Sequence, residues 1–274
     1  MTVPRTGVWR GQAKAGVAGR YRLSCGGVLM LAVAVLLAGC VTEGGDLPGV
    51  KPDMARAAQL NTQLGVDYAR KGYYTLAQKK FERAISQRQD YAPAHAGLGF
   101  VYSRLGQMDK AEQEYRKALS LNPDDPETQN NFGTFLCAQD KGEQAQRHFQ
   151  LALANSAYAT PAAGWTNAGV CALHMKQADK AAQYFEHALK INPGFAQAVR
   201  ELAILSYHKG QYQRARALEK HYATLVTPGP EMLLLSAHTE RALGHEARAR
   251  AFEVQLIQTY PQSHQAAKIS ELQQ

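Results

Sequence analysis

A cysteine lies at the end of a short apolar run near the N-terminus, and its thiol is a group that could undergo a covalent reaction. The run VLMLAVAVLLAGC extends from Val28 to Cys40. Its last residues are Leu37, Ala38, Gly39 and Cys40, and small residues before a cysteine let an extended peptide enter a protease. Such a thiol could carry a diacylglyceryl group, with the chain cut immediately before it. Acyl chains hold a protein on a membrane because each buried methylene contributes about 0.8 kcal/mol.

The residues around this run favour a signal peptide over a membrane-spanning helix. A transmembrane helix needs about 20 apolar residues, and the run from Val28 to Ala38 has roughly half that number. Basic residues, and no acidic ones, precede the run. The end of the run resembles the bacterial lipobox, which predicts a lipoprotein signal peptide over residues 1–39 and lipid attachment at Cys40. An ordinary secretory signal with a chance cysteine is the alternative. Val41 follows, and the absence of Asp at this position favours the outer membrane.

The signal peptide also accounts for most of the positive charge. The whole chain has 31 Lys and Arg residues against 23 Asp and Glu residues, a formal net charge of +8. Removal of residues 1–39 leaves 26 basic and 23 acidic residues, a net charge of +3. Because nucleic-acid binding requires a clustered basic face, this balance predicts no nucleic-acid partner.

The remaining sequence lacks the patterns that are typical of active sites. It contains no glycine-rich phosphate loop, no HExxH zinc motif and no GxSxG nucleophile motif. His238 and His245 are seven residues apart and could share a helix face, but a metal site needs a third ligand. The sequence therefore predicts a protein that is not an enzyme, with no catalytic residue, no metal and no cofactor.

A 34-residue repeat follows a Gly- and Pro-containing segment at residues 40–57, which we interpret as a flexible, lipid-anchored tether. The repeat has Gly or Ala at position 8, a small residue at 20, an aromatic residue at 24, Ala at 27 and Pro at 32. This is the tetratricopeptide pattern. Units start at residues 58, 92, 126, 162, 196 and 230, and the last two match less well. In the fifth unit Glu219 replaces the aromatic residue at position 24. This departure puts in doubt how well the fifth unit packs.

The repeat predicts two antiparallel helices in each unit, because the small residues at positions 8 and 20 let their backbones approach closely. Glycine at position 15 predicts a left-handed residue where the first helix ends; these glycines are Gly72, Gly106, Gly210 and Gly244. Units of this kind bury their apolar faces against each other. We predict an all-α fold, an α-solenoid of six tetratricopeptide repeats over residues 58–263 that forms a right-handed superhelix, with a capping segment at 264–274.

Two cysteines within the repeats could form a disulfide. Cys137 is at position 12 of the third unit and Cys171 at position 10 of the fourth, on first helices that are neighbours in the predicted stack. Outside the cytoplasm the conditions are oxidising. A bridge would close a loop of about 34 residues, worth about 3–4 kcal/mol in the chain-entropy model. Two buried free thiols are the alternative.

The first helix of each unit is predicted to line a concave groove through positions 2, 5, 9, 12 and 13. These positions form an apolar stripe with basic and His edges, which suits an extended or helical apolar peptide. The alternative is that several of these side chains pack between neighbouring helices. The predicted groove residues are Val66, Phe100, Arg104, Asn130, Thr134, Val170, His174, Ile204, Tyr207 and His208.

Three segments resemble one family beyond the general repeat pattern. They are QNNFGTFLC at Gln129–Cys137, NAGVC at Asn167–Cys171 and the Asn-Pro turn at Ile191–Pro193. With the lipobox-like segment and six repeats, the chain resembles the type IV pilus biogenesis and stability lipoproteins, the pilotin family that includes PilF and PilW. The paired cysteines look like the branch of the family that has them.

The resemblance implies a non-enzymatic lipoprotein of the outer membrane that faces the periplasm. It implies binding of the pilus secretin subunit and promotion of its outer-membrane localisation and multimerisation, with other type IV pilus proteins as further partners. Asn130 could hydrogen-bond a bound peptide backbone or tie neighbouring helices together. A general periplasmic tetratricopeptide scaffold for envelope or cell-wall assembly is the competing interpretation.

Overall fold

The computed structural model describes residues 53–272, and this part of the chain forms helices and no strands. The helices are α1 (Met54–Arg70), α2 (Tyr74–Gln87), α3 (Ala92–Arg104), α4 (Met108–Leu121), α5 (Pro126–Ala138), α6 (Gly142–Ala154), α7 (Pro161–His174), α8 (Ala178–Ile191), α9 (Ala196–His208), α10 (Tyr212–Leu225), α11 (Pro230–Ala242), α12 (Glu246–Thr259) and α13 (His264–Leu272). Consecutive helices form six antiparallel pairs, from α1/α2 to α11/α12, and α13 packs on the last pair. Each first helix also contacts the first helix of the next unit. The predicted all-α solenoid is confirmed.

The boundaries of the domains stay predictions, because the signal peptide and residues 40–52 of the tether, including Cys40, lie outside the described residues. α1 begins at Met54, four residues before the predicted start of the first unit, and Asp53 caps it by accepting a hydrogen bond of 3.0 Å from the backbone N–H of Arg56. α13 lies within the predicted capping segment. Among the described helices, none has the length and apolar character needed to cross a bilayer.

In the first four units an aromatic ring at position 24 packs directly on a glycine at position 8. A Cβ atom on Gly65 would lie 2.8 Å from the Phe81 ring, and one on Gly133 would lie 2.9 Å from the Phe149 ring. Each ring is almost completely buried; the four are Phe81, Tyr115, Phe149 and Phe185. Because glycine has no side chain, the ring fills the space between the two helices of its own unit.

The last two units use a different pair of residues at the same positions. Position 8 is Ala203 in the fifth unit and Ala237 in the sixth, and position 24 is a buried glutamate, Glu219 or Glu253. Glu219 accepts a hydrogen bond of 2.6 Å from the hydroxyl of the fully buried Thr239 on α11. A small cavity of about 90 Å³ adjoins Glu219, between α10, α11 and α12.

Position 15 is left-handed in every unit, which confirms the four predicted glycine turns. The φ angles of Gly72, Gly106, Gly210 and Gly244 lie between 71° and 79°. The third and fourth units have Asp140 and Lys176 at this position, each with a φ of 58°. Repeat geometry thus imposes the conformation even where the residue does not favour it.

Candidate peptide-binding groove

The first three units form an open cavity of about 460 Å³ between α1, α3 and α5. Its apolar lining includes Val66 on α1 and Ala96 and Phe100 on α3. Val66 and Phe100 occupy position 9 of their units, and Phe100 keeps 37% of its surface exposed. A side chain of this size that stays partly exposed in an open cavity can contact an apolar group from a partner. We call it the α1–α5 groove.

The floor of the α1–α5 groove depends on a glycine. Gly97 lies on α3 beside the ring of Phe81, and a Cβ atom at this position would collide with that ring. Phe81 is 1% exposed but forms part of the cavity lining. Because Gly97 has no side chain, the ring reaches the surface of the groove while it remains packed between α1 and α3.

The rim of the groove is polar on the α5 side. Asn131 is exposed there, and Glu127 and Thr128 stand near the start of α5. Asp125 caps this helix by accepting a hydrogen bond of 2.8 Å from the backbone N–H of Thr128. Arg70 lines the opposite side, at the end of α1. Polar groups on two sides of an apolar floor are suited to hold the backbone of an extended segment whose side chains enter the floor.

A smaller cavity of about 240 Å³ adjoins the groove toward α4. Phe100 and Asn131 line both cavities. The guanidinium of Arg104 lies 5.4 Å from the centre of the Tyr74 ring, and its Nε donates a hydrogen bond of 3.2 Å to the Tyr74 hydroxyl. The Tyr74 ring in turn meets Phe100 edge-on at 6.4 Å. These contacts give the wall between the cavities a fixed aromatic surface with one cation.

Four of the predicted groove residues come together here: Val66, Phe100, Arg104 and Thr134. Asn130 does not join them, because its side chain is 8% exposed and lies between helices. Its Oδ1 accepts a hydrogen bond of 3.1 Å from Asn167 on α7, and its Nδ2 is 3.4 Å from the Oδ1 of Asn131. The structure thus uses Asn130 to tie α5 to α7, and the neighbouring Asn131 faces the groove.

The other five predicted groove residues lie on α7 and α9 and line neither cavity. Val170, Ile204 and Tyr207 are half-buried and pack against apolar clusters between units. The Tyr207 ring is 5.5 Å from that of His208, which is exposed, as is His174. The predicted stripe therefore has an open part in units 1–3, whereas its apolar residues in units 4 and 5 pack between helices.

Some residues of the α1–α5 groove were not predicted from the repeat positions. Arg70 stands at position 13, which was expected to face the groove, but it was not selected. Gly97 and Asn131 stand at position 6 of their units, which was not included. Gly97 could have been singled out from the sequence. Glycine inside a helix costs about 1 kcal/mol relative to alanine, so its presence there indicates a packing or functional role.

Cys137 and Cys171 lie opposite each other on α5 and α7. Their Cα atoms are 5.7 Å apart, and the structure joins their sulfur atoms. This separation is in the range that a disulfide requires. The Cys137–Cys171 disulfide stays a prediction. The two histidines that could have shared a metal face different neighbours, since His245 contacts Glu240 at 2.7 Å and His238 lies beside Tyr207.

Comparisons with known proteins agree with this architecture. Family models described as tetratricopeptide repeat match residues 92–125 and 172–221. The type IV pilus assembly protein PilF of Pseudomonas aeruginosa is 30% identical over 237 residues, which cover 86% of this chain and 94% of PilF. The chain belongs to the PilF and PilW family of type IV pilus tetratricopeptide proteins.

Two solved structures place the fold in the same family. The structure of Pseudomonas aeruginosa PilF has a TM-score of 0.71 at 27% identity, and the match covers 80% of this chain and 98% of PilF. The crystal structure of PilW, described as a widely conserved type IV pilus biogenesis factor, has a TM-score of 0.72 at 31% identity. That match covers 77% of this chain and 97% of PilW. Both comparisons extend over nearly the whole of the PilF and PilW chains.

Proposed function

We propose that this PilF/PilW relative is a non-enzymatic pilotin, anchored to the outer membrane by lipid on Cys40 and facing the periplasm. In this proposal it binds a segment of the pilus secretin subunit and promotes its localisation and multimerisation. The lipid determines the location of the protein, and the α1–α5 groove recognises the partner. Other type IV pilus proteins are additional candidate partners.

The observation that carries this proposal is the open apolar floor of the groove in a member of a type IV pilus family. Val66, Phe100 and the Phe81 ring below Gly97 offer apolar contact, and Asn131 offers both a hydrogen-bond donor and an acceptor. A tetratricopeptide groove of this composition suits an extended or helical apolar segment better than a charged one.

The first experiment measures the secretin multimer. The gene is deleted, outer membranes are prepared without boiling, and the heat-resistant multimer is followed on a gel. Loss or mislocation of the multimer, restored by the wild-type gene and not by Cys40→Ala, is the expected result. A normal multimer in the correct membrane would contradict the pilotin role and favour the general periplasmic scaffold.

A second experiment tests the groove. Phe100→Glu places a charge on the apolar floor and is expected to reduce the multimer as strongly as deletion does. Leu151→Glu is the matched control, because Leu151 is 56% exposed on α6 and lines neither groove cavity. Both variants should accumulate to wild-type levels by immunoblot. If Phe100→Glu supports a normal multimer while the deletion does not, a different surface binds the secretin.

A further inference from the structure

A separate cavity of about 680 Å³ lies at the other end of the solenoid, between α11, α12 and α13. The side chains that α11 contributes are Leu234, His238 and Arg241, at positions 5, 9 and 12 of the sixth unit. These are positions that line the groove in tetratricopeptide units. The cavity, which we call the α11–α13 cavity, is therefore a groove-side feature that the capping helix closes at one end.

The charges around this cavity are not balanced. Two acidic residues line the cavity, Glu246 and Glu253, and both pair with the guanidinium of Arg241. Its Nη2 lies 2.7 Å from Glu253, and its Nε lies 3.5 Å from Glu246. Arg250 and Lys268 also line the cavity and are exposed. In the described part of the chain neither of them forms an ion pair or a hydrogen bond. Two cations on α12 and α13 thus face one space without a carboxylate partner.

The same cavity has an apolar wall. Ile269 on α13 is 5% exposed and packs with Leu256 in a small core cluster, and Leu234 is half-buried against that cluster. His238 lies beside them, and burial lowers the pKa of its imidazole. The neutral ring can then donate one hydrogen bond without adding to the positive charge. A ligand for this cavity needs both negative charge and apolar surface.

We propose that the α11–α13 cavity binds an acidic segment of a partner protein, with a carboxylate between Arg250 and Lys268 and an adjacent apolar side chain against Leu234 and Ile269. A peptide fits better than a simple anion, because the apolar wall offers nothing to a phosphate or sulfate ion. The unpaired cations attract the segment, and the wall fixes its orientation. This site is separate from the α1–α5 groove and does not depend on the pilotin proposal.

Fluorescence anisotropy with defined peptides tests the proposal. The probe is a fluorescein-labelled peptide LEELEEL with a blocked C-terminus, and the comparison peptide is LQQLQQL. Binding is measured at an ionic strength of about 0.05 M, where screening is weak. The processed chain is expected to bind the Glu peptide about tenfold more tightly than the Gln peptide. The double variant Arg250→Gln, Lys268→Gln should lose that preference.

The matched control is the double variant Lys79→Gln, Arg83→Gln, which removes the same charge from exposed positions on α2. It should retain the preference for the Glu peptide. Circular dichroism melts identify any variant that fails to fold. Equal binding of the two peptides, or an equal loss in both double variants, would overturn the proposal. Binding to vesicles of anionic phospholipid without binding to the Glu peptide would also overturn it, since a membrane surface would then be the ligand.

Discussion

Lys176 adopts a backbone conformation that four of the six units assign to glycine. Its φ angle is 58°, at position 15 of the fourth unit. A residue with a Cβ atom costs about 1–2 kcal/mol in this region because the Cβ approaches a carbonyl oxygen. Asp140 has the same φ angle in the third unit, but aspartate tolerates the left-handed region better than lysine does.

Lys176→Gly is therefore expected to stabilise the protein. The gain should be about 0.5–1 kcal/mol, since the greater freedom of glycine in the unfolded chain offsets part of the relief. Urea denaturation followed by circular dichroism measures the change. Gly106→Ala is the reciprocal variant. It should destabilise the protein by a similar amount, because Gly106 has a φ of 76°. A Cβ atom added there would meet no neighbouring atom, so the change acts only through the backbone conformation. A loss of stability in Lys176→Gly would contradict this explanation.

Glu219 is a buried carboxyl group in the interface between α10 and α11. Burial raises its pKa above the ordinary value, and the hydrogen bond from Thr239 lowers it by less. The nearby charged groups are Arg216 and Lys220 on its own helix and Glu240 on α11, and repulsion from Glu240 raises the pKa further. The folded state therefore holds a proton on Glu219 more tightly than the unfolded chain does.

The stability of the protein should fall as the pH rises through the raised pKa of Glu219. The contribution of the protonated group is fully present below about pH 4.5, the value in the unfolded chain, and it is lost above the folded-state pKa. Glu219→Gln is expected to flatten this part of the profile while it keeps an acceptor for Thr239. Thermal melts from pH 4 to pH 8 measure both curves. Parallel curves for the variant and the wild type would contradict the assignment.

At the scale of elements, α5, α6 and α7 are joined by a cysteine pair and two side-chain hydrogen bonds. The Asn130–Asn167 hydrogen bond and the Cys137–Cys171 pair both join α5 to α7. The amide of Gln146 on α6 donates a buried hydrogen bond of 3.0 Å to a backbone carbonyl on α7. This junction also holds the far wall of the α1–α5 groove in place, because α5 supplies that wall.

Reduction of the Cys137–Cys171 pair should destabilise the protein by about 3–4 kcal/mol, from the length of the closed loop. The double variant Cys137→Ala, Cys171→Ala should match the reduced wild type and should not respond to a reducing agent. Denaturation with and without reductant measures the difference. Mass spectrometry of the unreduced, alkylated protein determines whether the bridge exists, and two alkylated thiols would contradict the pairing.

At the scale of the whole molecule, stability is expected to be lower toward the C-terminal units. The largest apolar cluster runs from Ala77 through the first four units to Cys171, and the later clusters are smaller. The α10–α11 and α11–α12 contacts include buried Glu219, Glu240 and Glu253. In a solenoid each unit is stabilised by its neighbours, so weaker interfaces open first.

Hydrogen exchange measures this gradient. Amide protons of α9 to α12 should exchange faster than those of α3 to α8, because the last two units have a glutamate instead of an aromatic ring at position 24. Variants that stabilise the fourth unit, such as Lys176→Gly, should slow exchange there and leave α11 and α12 nearly unchanged. Equal protection in all six units would contradict the gradient.

The repeats were predictable because identical spacing implies identical packing, and glycine at position 15 marked four of the six turns. The other two turns were not predicted, because Asp140 and Lys176 do not reveal a left-handed backbone. The groove was predicted as a continuous stripe along the first helices, whereas the α1–α5 groove involves the first helices of only three units, α1, α3 and α5. Position alone treats every unit alike, whereas the cavity depends on a local feature, the missing side chain of Gly97 beside Phe81.

The paired choices at positions 8 and 24 restrict how such a chain can be recombined. A unit from the first four has the ring of Phe149 or its equivalent matched to a glycine, and a unit from the last two has a glutamate matched to an alanine. Whole units could be exchanged or duplicated without mixing these pairs. A crossover between positions 8 and 24 of a unit would instead combine an aromatic ring with an alanine, or a glutamate with a glycine. Recombination at unit borders therefore keeps these pairs intact, and the two residues must change together when a unit of one kind is converted into the other.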